Sequence, residues 1–356
     1  MNTLQKQILG LALKSHLGKM PSSLVARSMA TIKFETLGNP TSVLKVSGDE
    51  PVGTLGNSEV SIKMLAAAIS PADLSMVAGV GDVRPALPAV GGLGGVGEVT
   101  AVGGSVNGLK VGDKVVPLSP AFGCWRSAGK ADAGAVAKLP DGVSAEAGAQ
   151  ALAAGTAYRL LKDFAALAPG DVVLQNAAEG AVGKFVVALA KAHGLRSVSV
   201  VSAGAAAGAD AALTALGADV VLSEEEAATM AGRQAMAQLG APKLALNGGG
   251  GAGVQGLSKA LAPGGALVTY GGRARTAVEL STPALIFRDV AAAGFSMTRW
   301  LAFASPEEVA ETVAGAAPAL KAAGGAGVQV FQFSEFEKAV AAAAGAGVGG
   351  DVVVKM

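Results

Sequence analysis

Between residues 171 and 193 the chain runs strand, glycine-bearing turn, helix, and that order leaves few folds open. Asp171 to Gln175 reads as a buried strand, Asn176 to Gly183 as the turn, and Lys184 to His193 as a helix. Further units follow at Ser197 to Val201, Leu213 to Leu222, Lys243 to Leu246 and Ala266 to Tyr270. Alternating β and α elements with short links predict a doubly wound parallel sheet. The turn itself, Ala177-Ala178-Glu179-Gly180-Ala181-Val182-Gly183, sits where such sheets bind dinucleotides. Gly180 lets a backbone approach a pyrophosphate, Gly183 lets helix and strand close together, and the helix amides then face the phosphates. Gly180, Ala181, Val182 and Gly183 are therefore candidate cofactor-binding residues. The competing reading is that the two glycines only serve the tight turn.

The strand after this turn ends Val200-Val201-Ser202-Ala203-Gly204. An acid there holds the ribose of NAD, and an arginine nearby accommodates the extra phosphate of NADP. This chain offers neither, and Ser202 is left to give one neutral hydrogen bond. Arg196, Arg273 and Arg275 are the basic residues that can be considered as substitutes.

Residues 31 to 138 have a different rhythm, with short strands punctuated by Gly and Pro. Val60 to Met64 alternates, Val96 to Val102 runs apolar, and Gly112-Asp113-Lys114 precedes the apolar Val115-Val116. That predicts a closed, β-rich domain. The period turns helical around Ala147 to Leu161, and Phe331 to Met356 returns to strand and helix. The expected division is a β-rich domain of residues 31–150 plus 318–356, split around a doubly wound domain of residues 151–317.

Composition narrows the function classes. Of the 356 residues 51% are hydrophobic and 15% charged, so a large core is available. The net charge of +1, with no long basic block, gives no electrostatic footprint for nucleic acid. No apolar run reaches the ~20 residues that span a bilayer. Cys124 is the only cysteine and His16 and His193 the only histidines, which argues against a metal centre built by the protein. The first acidic residue is Glu35; before it Lys6, Lys14, Lys19 and Arg27 accompany an apolar stripe at Leu4, Ile8 and Leu11. An acid-free, basic, amphipathic start over residues 1–30 has the pattern of an organellar transit peptide.

Collinear stretches resemble the mitochondrial trans-2-enoyl-thioester reductases of the medium-chain dehydrogenase/reductase superfamily. They include KMLAAAISPADLSM (Lys63 to Met76), PALPAVGG (Pro85 to Gly92), GLKVGDKVVP (Gly108 to Pro117) and GCWR (Gly123 to Arg126). GTAYRLLKDF (Gly155 to Phe164), PGDVVLQNA (Pro169 to Ala177), LVTYGG (Leu267 to Gly272) and LIFRDV (Leu285 to Val290) continue the match. The resemblance implies a GroES-like substrate domain split around a Rossmann domain, and pairing of two copies through the Rossmann sheets. It implies hydride delivery from NADPH to a 2-enoyl thioester, with a tyrosine protonating the α-carbon, in mitochondrial fatty acid synthesis on the matrix side. It adds Tyr270, Gly271 and Gly272 to the cofactor candidates, and it places Trp125 near the substrate channel.

The same resemblance exposes departures. The position of the tyrosine is Gly81. A Gly-Asn-Glu-Gly stretch has become Gly92-Leu93-Gly94-Gly95, an asparagine has become Ala153, and the basic triplet that selects NADPH has become Ser202-Ala203-Gly204. A lysine near the C-terminus that helps hold the cofactor falls on Asp351. By sequence, Cys124 and Tyr158 are the nearby groups that can be asked to replace the proton donor, and Trp300 follows the segment Phe295 to Thr298 that lines the cofactor in the family. The favoured expectation is a pseudoenzyme: a reductase fold kept as a structural or accessory subunit of a larger mitochondrial complex, with no catalytic residue of its own. The alternatives are an active NADPH-dependent 2-enoyl thioester reductase and a quinone-type NAD(P)H reductase.

Overall fold

The computed structural model describes residues 30–48, 52–205, 207–251, 253–272, 274–345 and 351–356. The transit-peptide-like segment, apart from Ala30, and Arg273 therefore lie outside the described residues.

The first lobe is all β in its framework. Strands β1 (Thr31–Phe34), β2 (Lys45–Ser47) and β4 (Ala89–Val90) form a small antiparallel sheet in the order β2-β1-β4. The main sheet uses β3 (Glu59–Ile69), β5 (Gly95–Val102), β6 (Lys114–Pro117), β7 (Ala128–Asp132) and β8 (Val136–Lys138). The C-terminal strands β15 (Val328–Gln332) and β16 (Asp351–Lys355) complete it, β16 pairing antiparallel with β3 so that Val353 faces Ala68. The alternation of Val60, Ile62 and Met64 fills one face of β3, which is why those three side chains are buried.

The second lobe is a six-stranded parallel sheet in the order β11-β10-β9-β12-β13-β14. Its strands are β9 (Val172–Asn176), β10 (Arg196–Val201), β11 (Val220–Ser223), β12 (Leu244–Asn247), β13 (Ala266–Thr269) and β14 (Ala291–Gly294). That is the strand order of a dinucleotide-binding sheet, with the glycine turn directly after its first strand. Each residue of β9 is buried, as a central strand covered on both faces requires. The fold is therefore the expected one, a GroES-like β-rich lobe split around a Rossmann lobe.

Two helices join the lobes. Helix Ala151–Asp163 begins at Gln150, whose side chain donates to the Gly324 carbonyl. Helix Pro306–Ala323 starts with Ser305 and Glu308 capping each other and runs uninterrupted through Pro318, so a boundary at 317/318 falls inside it. Both pack on the helix after the glycine turn, Ala181–Ala192, and one core cluster runs from Ala66, Val96 and Val353 of the first lobe to Leu160, Phe185 and Leu246 of the second. Small residues allow this close packing where the helices meet. A Cβ on Gly315 would lie 2.1 Å from the Tyr158 ring.

Candidate functional site

The chemistry this architecture allows belongs at the carboxyl ends of the parallel strands, where the glycine turn lies. Ala177 ends β9 with a left-handed φ of 50°, and helix Ala181–Ala192 starts at Gly180 without a side-chain cap. Gly183 is fixed by contact: a Cβ there would sit 2.4 Å from the Ala178 oxygen. The helix-to-strand closeness expected of Gly183 is thus present.

The amides of this turn do not face open space. The Asp351 carboxylate, which comes from β16 of the other lobe, lies beside the Ala181 amide at the start of this helix. Lys184, one turn along the same helix, holds that carboxylate from the second side, with Nζ 2.8 Å from Oδ2, and also donates to the Ala326 carbonyl at 3.1 Å. Both side chains are about nine-tenths buried, at 8% and 11% exposure. Burial raises the Asp351 carboxyl above its ordinary range, Lys184 pulls it back, and the neighbouring Glu179 pushes it up again. Glu179 lies within the turn, is itself buried, and accepts the Ser202 N–H at 3.2 Å.

The end of β10 continues the pattern. The Ala203 N–H donates to Glu224 at 3.3 Å. Of the basic substitutes, Arg196 is removed: it starts β10, at the opposite end of the strand, and pairs with Asp219 at 2.6 Å. Val182 is the second residue of the turn helix, half-buried against the core. Tyr270, Gly271 and Gly272 follow β13 beside the loop after β12; the Tyr270 hydroxyl lies where a Cβ on Gly248 would come, at 2.6 Å, and Gly271 closes on the Gly248 backbone. That loop is organised by an amide pair missed in the sequence. Asn176 donates to Asn247 at 3.0 Å and accepts the Gly248 and Gly249 N–H groups, while Asn247 accepts that of Gly250.

Gly180 to Gly183, Ser202 and Tyr270 to Gly272 therefore all lie at the carboxyl ends of the sheet strands, on loops or in the first turn of the helix that follows. At the start of the turn helix the Asp351 carboxylate, paired with Lys184, already stands beside the Ala181 amide. Among the described residues, the carboxylates Glu179, Glu224 and Asp351 at this end of the sheet do not fit the charge of a pyrophosphate or of a 2′-phosphate. Among the described residues, no group of three His, Cys, Asp or Glu converges to hold a metal.

Across the cleft, Gly81 closes the loop after helix Pro71–Ala78, its N–H donating to the Ser75 carbonyl at 3.1 Å. The next residue, Asp82, reaches the other lobe, accepting from Ser296 Oγ at 2.7 Å and Thr298 Oγ1 at 3.0 Å. The Ser296 hydroxyl above all, and Thr298 with it, hold Asp82 below the usual carboxylate range, so it is ionised at neutral pH and is no proton donor.

The other expected groups lie elsewhere. Trp125 is fully buried in the first lobe, its indole N–H donating to the Ala68 carbonyl at 2.9 Å and its ring edge-on to Phe336 at 5.0 Å. It is a core residue and no channel wall, because Gly91 and Gly92 lie directly against the ring. Cys124 is buried beside it, and burial pushes its thiol far up, so it is a small core side chain and no acid–base group. Tyr158 faces helix Pro306–Ala323, with its hydroxyl 3.3 Å from Glu311, next to the Lys162–Glu311 pair. Trp300 does reach the space between the lobes, stacked under the Arg159 guanidinium at 4.7 Å.

That space has two parts. An apolar cavity of about 40 Å³ lies among Leu93, Leu152, Met297, Trp300 and Val313. It adjoins a groove of about 940 Å³ that carries Asp82, Lys138, Thr298 and Arg299 on otherwise largely apolar walls. Only the groove is in the size range of ligand sites, ~300–1,000 Å³.

Comparison with known proteins agrees with this geometry. Residues 56–161 match the alcohol dehydrogenase GroES-like domain, and residues 181–317 match the zinc-binding dehydrogenase domain. The mitochondrial enoyl-[acyl-carrier-protein] reductase of Rattus norvegicus is 40% identical over 278 residues, 78% of this chain and 74% of that protein. The mitochondrial 2-enoyl thioester reductase Etr1p/Etr2p heterodimer from Candida tropicalis superposes with a TM-score of 0.81 at 25% identity, covering 92% of this chain and 100% of that one. The Etr1p complex with NADP and crotonyl-CoA gives 0.82, also at 25% identity and with the same coverage of 92% and 100%. With its split GroES-like lobe, its Rossmann strand order and these relatives, the chain belongs to the enoyl thioester reductase family of the medium-chain dehydrogenase/reductase superfamily.

Proposed function

We propose that this protein is a catalytically degenerate enoyl thioester reductase that serves as a structural or accessory subunit of a larger mitochondrial complex, on the matrix side. One observation carries the reading: every side chain considered for the proton-transfer step is misplaced for it. Position 81 is glycine, Cys124 is sealed in the core, and Tyr158 is turned to Glu311 on the linking helix. Asp82, the acid nearest to Gly81 in the chain, is held ionised. A positioned general acid is worth ~10²–10⁴ in rate, so its loss removes most of the advantage of the site. The mitochondrial names of the relatives and the acid-free, basic N-terminal sequence support the location.

The surface supports assembly. β14 ends the parallel sheet with all four of its residues exposed, and helix Thr282–Arg288 beside it shows Leu285, Ile286 and Phe287 to solvent. An unpaired edge flanked by apolar side chains is suited to pairing with a second copy, edge to edge, as a homodimer through the Rossmann sheet. The Candida relative, solved as a heterodimer, supports pairing in this family.

A second reading, an active NADPH-dependent 2-enoyl thioester reductase of mitochondrial fatty acid synthesis, is favoured by the intact Gly180–Gly183 turn and the open groove. The relative solved with NADP and crotonyl-CoA supports NADPH as the nucleotide such a cleft accommodates. A native gel of gently solubilised mitochondria separates the readings. The accessory reading expects the protein in a band far larger than a dimer. A protein found only as a dimer would defeat it.

A further inference from the structure

The helix after the glycine turn starts where doubly wound sheets bind dinucleotides, and the protein supplies an anion there itself. Free N–H groups at a helix start attract phosphate because the amides and the dipole act together. Here the first of them, Ala181 N–H, has the Asp351 carboxylate beside it. That carboxylate is not a passing surface group. It is nearly fully buried, is clamped by Lys184 at 2.8 Å, and arrives on a strand, β16, locked into the sheet by pairing with β3 and β15. Lys184 is in turn tied to the Ala326 carbonyl, so neither partner swings away without breaking contacts between the lobes.

A dinucleotide entering this turn meets three obstacles. The Asp351 carboxylate stands beside the Ala181 amide, the Glu179 carboxylate stands within the turn, and the Lys184 ammonium is already paired with Asp351. We propose that Asp351 sets nucleotide affinity in this protein: its carboxylate occupies the anion seat of the glycine turn and holds dinucleotides to weak binding. The inference rests on the degenerate-reductase reading of the cleft and deepens it by naming the residue that opposes the cofactor. It treats NADPH and NADH alike, because the pyrophosphate is common to both.

The test is calorimetric titration of the full-length protein with NADPH and with NADH, comparing the native chain with Asp351→Asn. Removing one negative charge beside the turn, and leaving the Lys184 ammonium without its countercharge, should tighten both nucleotides by ~10–100-fold. If the asparagine variant does not fold, Lys184→Gln with Asp351→Asn gives a neutral pair of similar size, for which the same tightening is expected. A folded variant that binds neither nucleotide more tightly overturns the inference. So does micromolar binding of NADPH by the native chain. Turnover of crotonyl-CoA is measured on the same samples: turnover by the native chain would overturn the degenerate reading, whereas absent turnover with no tightening overturns the role of Asp351 alone.

Discussion

Replacing Lys184 with methionine isolates the buried pair on which the junction of the lobes depends. The native ammonium is 8% exposed and has two partners, Asp351 Oδ2 at 2.8 Å and the Ala326 carbonyl at 3.1 Å. Methionine fills much the same volume and leaves Asp351 buried without its countercharge. Breaking one side of a buried pair costs about 3–5 kcal/mol, whereas removing both charges is often neutral or stabilising by about 1–4 kcal/mol. Lys184→Met alone should therefore lower the urea midpoint at neutral pH, and adding Asp351→Leu should restore most of it. The pH dependence has a definite sign. Burial already raises the Asp351 carboxyl, and loss of Lys184 raises it further. The folded state then binds a proton more tightly than the unfolded chain, so stability falls as pH rises through that window. The deficit of the single variant should thus shrink in mild acid. A loss below about 1 kcal/mol at neutral pH, the size expected of an exposed pair, would refute the reasoning.

Four further outcomes follow from the geometry. Asp82→Asn should weaken the bridge to Ser296 and Thr298, seen as faster hydrogen exchange in residues 295–301; since the Asp82 pKa is lowered in the fold, the native bridge holds above the ordinary carboxylate range and is lost as pH falls through the folded value. Gly183→Ala should lower stability by about 1–3 kcal/mol in thermal unfolding, because a methyl meets the Ala178 oxygen at 2.4 Å. Trp125→Ala should cost about 3–5 kcal/mol in denaturant titrations, as expected of a core residue and not of a channel wall. Gly81→Tyr should restore no crotonyl-CoA reduction in a spectrophotometric assay, since a Cβ there lies 3.2 Å from the Met76 nitrogen and the loop must shift to take a side chain.

The sequence shows the fold readily because its signals are local. The apolar run of β9, the glycine turn and the helix after it are contiguous, and the period-two pattern of β3 stands on its own. The site is less legible because its contacts cross the lobes. Lys184 and Asp351 are 167 residues apart, and Asp82 and Ser296 are 214 apart, so no spacing announces either pair. Asp351 is visible in the sequence as a reversed charge, but the cation that answers it is hidden inside a largely apolar helix. Trp125 misleads for a similar reason: burial depends on Gly91, Gly92 and Phe336, which only the fold brings to its ring. Arg196 is near Ser202 in the chain, yet the length of β10 separates them.

The most direct test of the central claim is NADPH oxidation by the purified full-length protein with crotonyl-CoA, run beside the rat relative as a positive control. The account predicts no turnover above the protein-free rate, with or without excess nucleotide. Turnover at ~1 s⁻¹ or faster, the ordinary range for an enzyme, would contradict it.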